Sequence, residues 1–227
     1  MQPVTISWTQ LRSRYERRGR KQSAAGISPS MVKAFYAGNV ADRMMRAWLR
    51  DPSRTNTTTL VDEAMESAAI AHQHEGRPVR WQSAAEQQRV RERCLLLANR
   101  LIPILTELVL PHSWQAPLSF RAPVTIPVGG ADTEITLVGE LDLLMTTRQG
   151  DHYIYDLKMT ENNTYWRSTC GQLVFYDIAM SLILGKSSKA TGLIQPLCSP
   201  PILEFSIGTQ ERREMWSHII KIVEITI

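Results

Sequence analysis

The sequence is short of the signals that mark several common protein classes. No stretch approaches 18 uninterrupted apolar residues, so no membrane-spanning helix is expected. Its three cysteines, Cys94, Cys170 and Cys198, lie far apart and form no CxxC pair. That argues against zinc or iron–sulfur binding and makes a reducing, intracellular setting the default expectation. The opening residues, MQPVTISWTQ, lack a charged start followed by an apolar core, so no signal peptide is expected. There is no G-x-S-x-G and no Walker-type loop, which leaves hydrolase, ATPase or helicase chemistry of those kinds without support. Internal repeats and low-complexity tracts are absent as well.

What is present suits a globular chain. Hydrophobic residues make up 43% of the 227, enough for one sizeable core. The net charge of +4 is mild, but it is unevenly spread. LRSRYERRGRK, residues 11–21, sets Arg12, Arg14, Arg17, Arg18, Arg20 and Lys21 against Glu16 alone. Such a run can track phosphates, or it can be a solvated arm; the charges alone leave both readings open.

Ser28-Pro29 is a helix start, and the segment that follows, residues 31–49, has helical composition weakened at Gly38 and Asn39. Residues 51–59 read as a loop, 60–76 as a second helix, and 83–110 as a long helix that Pro103 should kink or break. The character changes near Pro111. PLSFRAPVTIPVGG, TEITLVGELDLLMTT and HYIYDLKM read as strands, the last two joined by an RQGD turn. Residues 165–185 read as an apolar helix, TGLIQPLC and LEFSIG as short strands, and the segment from Thr209 as a final helix. The order predicts an α/β fold behind a helical N-terminal half.

Two aspartates interrupt the apolar strands. If 139–147 and 152–159 form a hairpin turning around Gln149, Asp142 faces Asp156. Like charges directly opposite are destabilising, more so among Leu141, Leu143, Tyr155 and Leu157, and a divalent cation compensates naturally. Lys158 shares a strand face with Asp156, so an ammonium sits beside the carboxylates, where it can act on an attacking water. The alternative is a plain ion pair between Lys158 and Glu140, which would face it in this register. Downstream, Gln172 and Tyr176 are four apart on the apolar helix and share a face with Thr169.

Gly139-x-x-Asp142, Asp156-x-Lys158 and Gln172-x-x-x-Tyr176 together resemble the PD-(D/E)XK nuclease superfamily, most closely its RecB-type exonuclease branch. The resemblance implies a restriction-endonuclease-like core with a central mixed β-sheet flanked by helices. It implies Asp142 and Asp156 as metal ligands, the backbone carbonyl of Leu157 as a third, Lys158 as the catalytic lysine, and Gln172 and Tyr176 as residues that position DNA or support the site. The RecB-type pattern also places a metal-binding histidine in an N-terminal Gly-x-x-x-His. Here Gly38-Asn39-Val40-Ala41-Asp42 puts Asp42 at that position, and a carboxylate suits Mg²⁺ or Mn²⁺. Asp42 can equally be a helix aspartate paired to Arg43 or Arg46. His72 and His74 are rivals for the ligand, but at i, i+2 on a helix they point different ways. The four-cysteine iron–sulfur signature of some relatives is missing, so no cluster is expected.

The expectations are therefore these. Residues 1–27 form a basic arm and 28–227 one nuclease domain, helical over 28–110 and sheet-bearing over 111–227. The chain is expected to hydrolyse DNA with one or two Mg²⁺ or Mn²⁺ ions, as an exonuclease in recombination, repair or phage DNA processing. The alternative is a DNA-binding or assembly subunit that keeps the fold with little cleavage. DNA is the expected partner, with a helicase or recombination protein beside it and no membrane. Bacterial cytoplasm, a phage-infected host or an organelle would all suit.

Overall fold

The computed structural model describes residues 4–15, 29–159 and 166–226, with backbone alone at 13–15, 29–31, 34, 35 and 166–169. The chain starts with β1 (Val4–Ser7) and α1 (Trp8–Tyr15), then three helices, α2 (Pro29–Arg50), α3 (Thr57–His74) and α4 (Ala84–Val109). Next come strands β2 (Ser113–Gln115), β3 (Leu118–Val128), β4 (Ala131–Leu141), β5 (Leu143–Thr146) and β6 (His152–Leu157). The order closes with α5 (Trp166–Leu184), β7 (Ala190–Ile194), β8 (Ile202–Phe205) and α6 (Thr209–Thr226).

Local chemistry sets the helix boundaries. Asn56 caps α3 by accepting the Thr59 N–H at 3.1 Å, and Ser83 caps α4 by accepting that of Glu86 at 3.1 Å. Helix α4 runs through Pro103 without a break, one of the two outcomes expected there. An interior proline costs about 3 kcal/mol. Leu97, Leu101 and Leu105, all fully buried on one stripe of α4, offset that cost through packing.

The strands form two mixed sheets. A three-stranded sheet has the order β1-β4-β3, and a five-stranded sheet the order β2-β5-β6-β7-β8. Helix α5 is the crossover between the parallel strands β6 and β7. Alternation along the five strands gives the larger sheet two apolar faces. Leu143, Met145, Tyr155 and Ile194 pack with the α2–α4 bundle. Leu144, Ile154 and Leu193 pack with α5, α6 and the smaller sheet. This is the expected architecture: mixed sheets flanked by helices, with a helical N-terminal half.

The first residues differ from expectation. Residues 4–15 are not part of a solvated arm. β1 pairs in parallel with β4, Ile6 opposite Leu137, and Ile6 and Leu11 are buried in the core. Trp8 lies so close to Gly171 of α5 that an added Cβ there would meet it at 2.6 Å. Apolar residues at positions 4, 6, 8 and 11 drive this docking, outweighing the basic character of the neighbouring run. The rest of the expected arm, including Arg17, Arg18, Arg20 and Lys21, lies outside the described residues.

Candidate active site

One bend builds the site. β4 and β5 are nearly continuous, but the ladder breaks at Asp142 and the chain changes sheets there. Before the bend, Glu140 pairs with Ser119 of β3; after it, Leu143 pairs with Tyr155 of β6. One further step of that β5–β6 register puts Asp142 across from Asp156. The expected hairpin register is therefore the observed one.

The two carboxylates are held differently. Asp142 is half-buried, and its Oδ2 accepts the backbone N–H of Leu157 at 2.8 Å. Asp156 is 3% exposed, and its Oδ2 lies 2.6 Å from Lys158 Nζ. That contact is an ion pair, and the same oxygen has no directed hydrogen bond. Burial pushes the Asp142 carboxyl up to about 7, the charge of Asp156 adds to the rise, and the Leu157 N–H and Lys158 oppose it. Burial raises Asp156 too, against the pull of Lys158. Lys158 thus pairs with Asp156, not Glu140. The bend is the reason: it carries Glu140 into the other sheet, where its Oε1 accepts from Arg46 at 2.7 Å.

Asp42 approaches from α2. Its Oδ1 accepts from Arg46 Nε at 2.7 Å, so Arg46 bridges Asp42 and Glu140. Its charge still reaches Asp142 and helps raise it. The bridge joins residues 94 apart in sequence, and nothing in the local pattern announces it. His72 is turned inward, 2% exposed, with Nε2 2.9 Å from Asn39 Nδ2.

Helix α5 closes one side. Gln172 Nε2 donates to Tyr176 Oη at 2.8 Å, which leaves the phenol its own proton to donate. Burial first, then the charges of Asp156, Asp142 and Glu140, push Tyr176 up to about 12, so it stays a neutral donor. Gly139 makes the approach possible: a Cβ there would meet Phe120 Cζ at 2.7 Å and Tyr176 Cε1 at 3.3 Å. The side chain of Thr169 is not among the described ones.

A family model for the PD-(D/E)XK nuclease superfamily matches residues 10–221. The chain belongs to this superfamily. The match spans both the α2–α4 bundle and the strands that carry the aspartates, so the PD-(D/E)XK assignment covers the fold as a whole. No curated protein matches the sequence. A solved structure described as "Crystal structure of SSO0001" is similar over 94% of this chain and 85% of its own, at 12% identity and a TM-score of 0.34. That overlap is too loose to carry any argument about the site.

Members of this superfamily typically use divalent metal ions, and the residues here can be tested for fit. Among the described residues, no three His, Cys, Asp or Glu side chains stand close enough to form a ready metal cluster. Each candidate carboxylate is engaged: Asp156 with Lys158, Asp142 with Leu157, Asp42 with Arg46. Yet a half-buried Asp142 raised by the charge of Asp156, and a buried Asp156 with an oxygen lacking a directed hydrogen bond, are a donor set that a small hard cation relieves. Asp142 and Asp156 fit such an ion.

Proposed function

We propose that this protein is a metal-dependent deoxyribonuclease of RecB type, acting on DNA from an end. The observation that carries the reading is the pair of half-buried Asp142 and buried Asp156, one register step beyond Leu143–Tyr155, with Lys158 against Asp156. Asp142, Asp156 and Asp42 would hold one or two Mg²⁺ or Mn²⁺ ions, with the Leu157 carbonyl as a further ligand. A bound cation supplies positive charge beside the scissile phosphate and makes hydroxide accessible near neutral pH.

The chain's own groups do the rest. Lys158 Nζ, released from Asp156, holds the attacking water by donating to its oxygen. Tyr176 Oη, kept neutral by burial and steadied by Gln172, donates to a phosphate oxygen. Leu157 N–H fixes the Asp142 carboxylate so that one oxygen stays available. Arg17, Arg18, Arg20 and Lys21 would grip the DNA backbone without reading bases. A helicase or recombination protein is the partner such an activity calls for, in recombination, repair or phage DNA processing.

The test is digestion of linear and circular DNA, single- and double-stranded, with Mg²⁺, Mn²⁺ or chelator. The reading expects cleavage of linear DNA with metal and none in chelator. Cleavage that survives chelation rules out the metal mechanism. Tight DNA binding with no cleavage under any condition supports the binding-subunit alternative instead.

A further inference from the structure

Five buried side-chain nitrogen or oxygen atoms lack a hydrogen-bond partner among the described residues, and three of them cluster at the ends of β6 and β7. One is Asp156 Oδ2. The other two are both polar atoms of the Gln195 amide, on a residue that is 0% exposed. A fully buried amide with neither end satisfied is unusual and costs stability. Sheet geometry says where it lies. The backbone N–H of Gln195 donates to Pro201 O at 2.7 Å, one step beyond the Ile194–Ile202 pair, so backbone pairing persists one residue past the end of β7. The N–H of Lys158 donates to Ile194 O at 2.9 Å, one step beyond the Leu157–Ile194 pair. The parallel register therefore sets Gln195 beside Lys158. Alternation puts it on the face of Leu193, the residue that pairs with Asp156.

Among the described residues, Lys158 has one ion-pair partner, Asp156. When Asp156 turns to a cation, the ammonium loses that partner and needs another acceptor beside it. We propose that Gln195 is a positioning residue for Lys158: its Oε1 accepts a Lys158 N–H in the loaded site, and its Nε2 donates to a water there. The inference rests on the nuclease reading and adds a residue to it. The amide, without a partner among the described residues, would find both partners in the loaded site.

The test uses the full chain with Gln195→Met, which keeps length and volume, and Gln195→Leu as a second apolar variant. Thermal unfolding in chelator reads the structural role, and Mn²⁺-dependent turnover on linear DNA reads the functional one. The expected result is a Tm equal to wild type or about 2–4 °C higher. Turnover at saturating DNA should fall about tenfold or more, as for other groups that orient a reacting residue, with KM within about twofold. In a Lys158→Ala background, Gln195→Met should change the residual rate by less than about twofold, because both variants remove one function. A lowered Tm in both variants overturns the proposal, since the amide is then a structural partner. So does wild-type turnover in either variant, or additive losses with Lys158→Ala. A wild-type protein that cuts nothing with either metal overturns the nuclease reading itself, and this role with it.

Discussion

Asp142→Asn should stabilise the metal-free protein, and only at the upper end of the pH range. The unfolded chain ionises Asp142 near 3.8, whereas the folded protein holds the proton up to about 7. Below pH 3.8 both states are protonated and the group costs nothing. Between those values the unfolded state releases its proton first, so stability falls as pH rises; above about 7 the loss is complete. A gap of about three pH units at 1.36 kcal/mol each sets a ceiling of about 4 kcal/mol. Coupling to Asp156 makes about 2–4 kcal/mol the working range. Asparagine keeps an oxygen for the Leu157 N–H, so the 2.8 Å hydrogen bond survives the change. At about 2–4 °C per kcal/mol for a chain this size, the variant should melt on the order of 5–15 °C higher at about pH 8 and at the wild-type temperature near pH 4. The assay is thermal unfolding of both proteins in chelator across that range. A difference that stays flat with pH, or a variant that melts lower at the alkaline end, refutes the electrostatic account of the site.

Gly139→Ala should lower Tm, since its Cβ must displace Phe120 and Tyr176; overpacking of this kind costs about 1–3 kcal/mol, and calorimetry reads it. Asp42→Ala should weaken Mn²⁺ affinity and turnover together, with Asp42→His recovering part of both; normal cutting at low Mn²⁺ by the alanine variant removes Asp42 from the ligand set. Neutralising Arg17, Arg18, Arg20 and Lys21 should reduce the log–log salt slope of DNA binding by about 0.7–0.9 per lost phosphate contact, leaving turnover at saturation little changed. An unchanged slope would show that the run is only solvated or serves a protein partner.

The site was legible where its chemistry is local in sequence. Asp142, Asp156 and Lys158 sit within one hairpin, and a period of two fixes which residues share a face. The Gln172–Tyr176 bond comes from helical spacing for the same reason. Long-range consequences were not legible. A continuous strand over 139–147 would oppose Glu140 to Lys158, but the bend at Asp142 hands β4 to another sheet. That change depends on β3 and β1 offering partners, which no window around residue 142 contains. β1 escaped notice because four residues of VTIS, next to a basic run, carry little periodic signal. Gln195 is uncharged and ends a short apolar strand, so only its burial without partners singles it out.

The central claim is that Asp156 and its neighbours cut DNA through a bound divalent ion. The most direct measurement compares wild type and Asp156→Asn on linear DNA with Mg²⁺ or Mn²⁺, with each protein checked for an intact fold by its thermal transition. The account predicts metal-dependent cleavage by the wild type, loss of it in the folded variant, and retained DNA binding by both. Equal cleavage by the two proteins would contradict it.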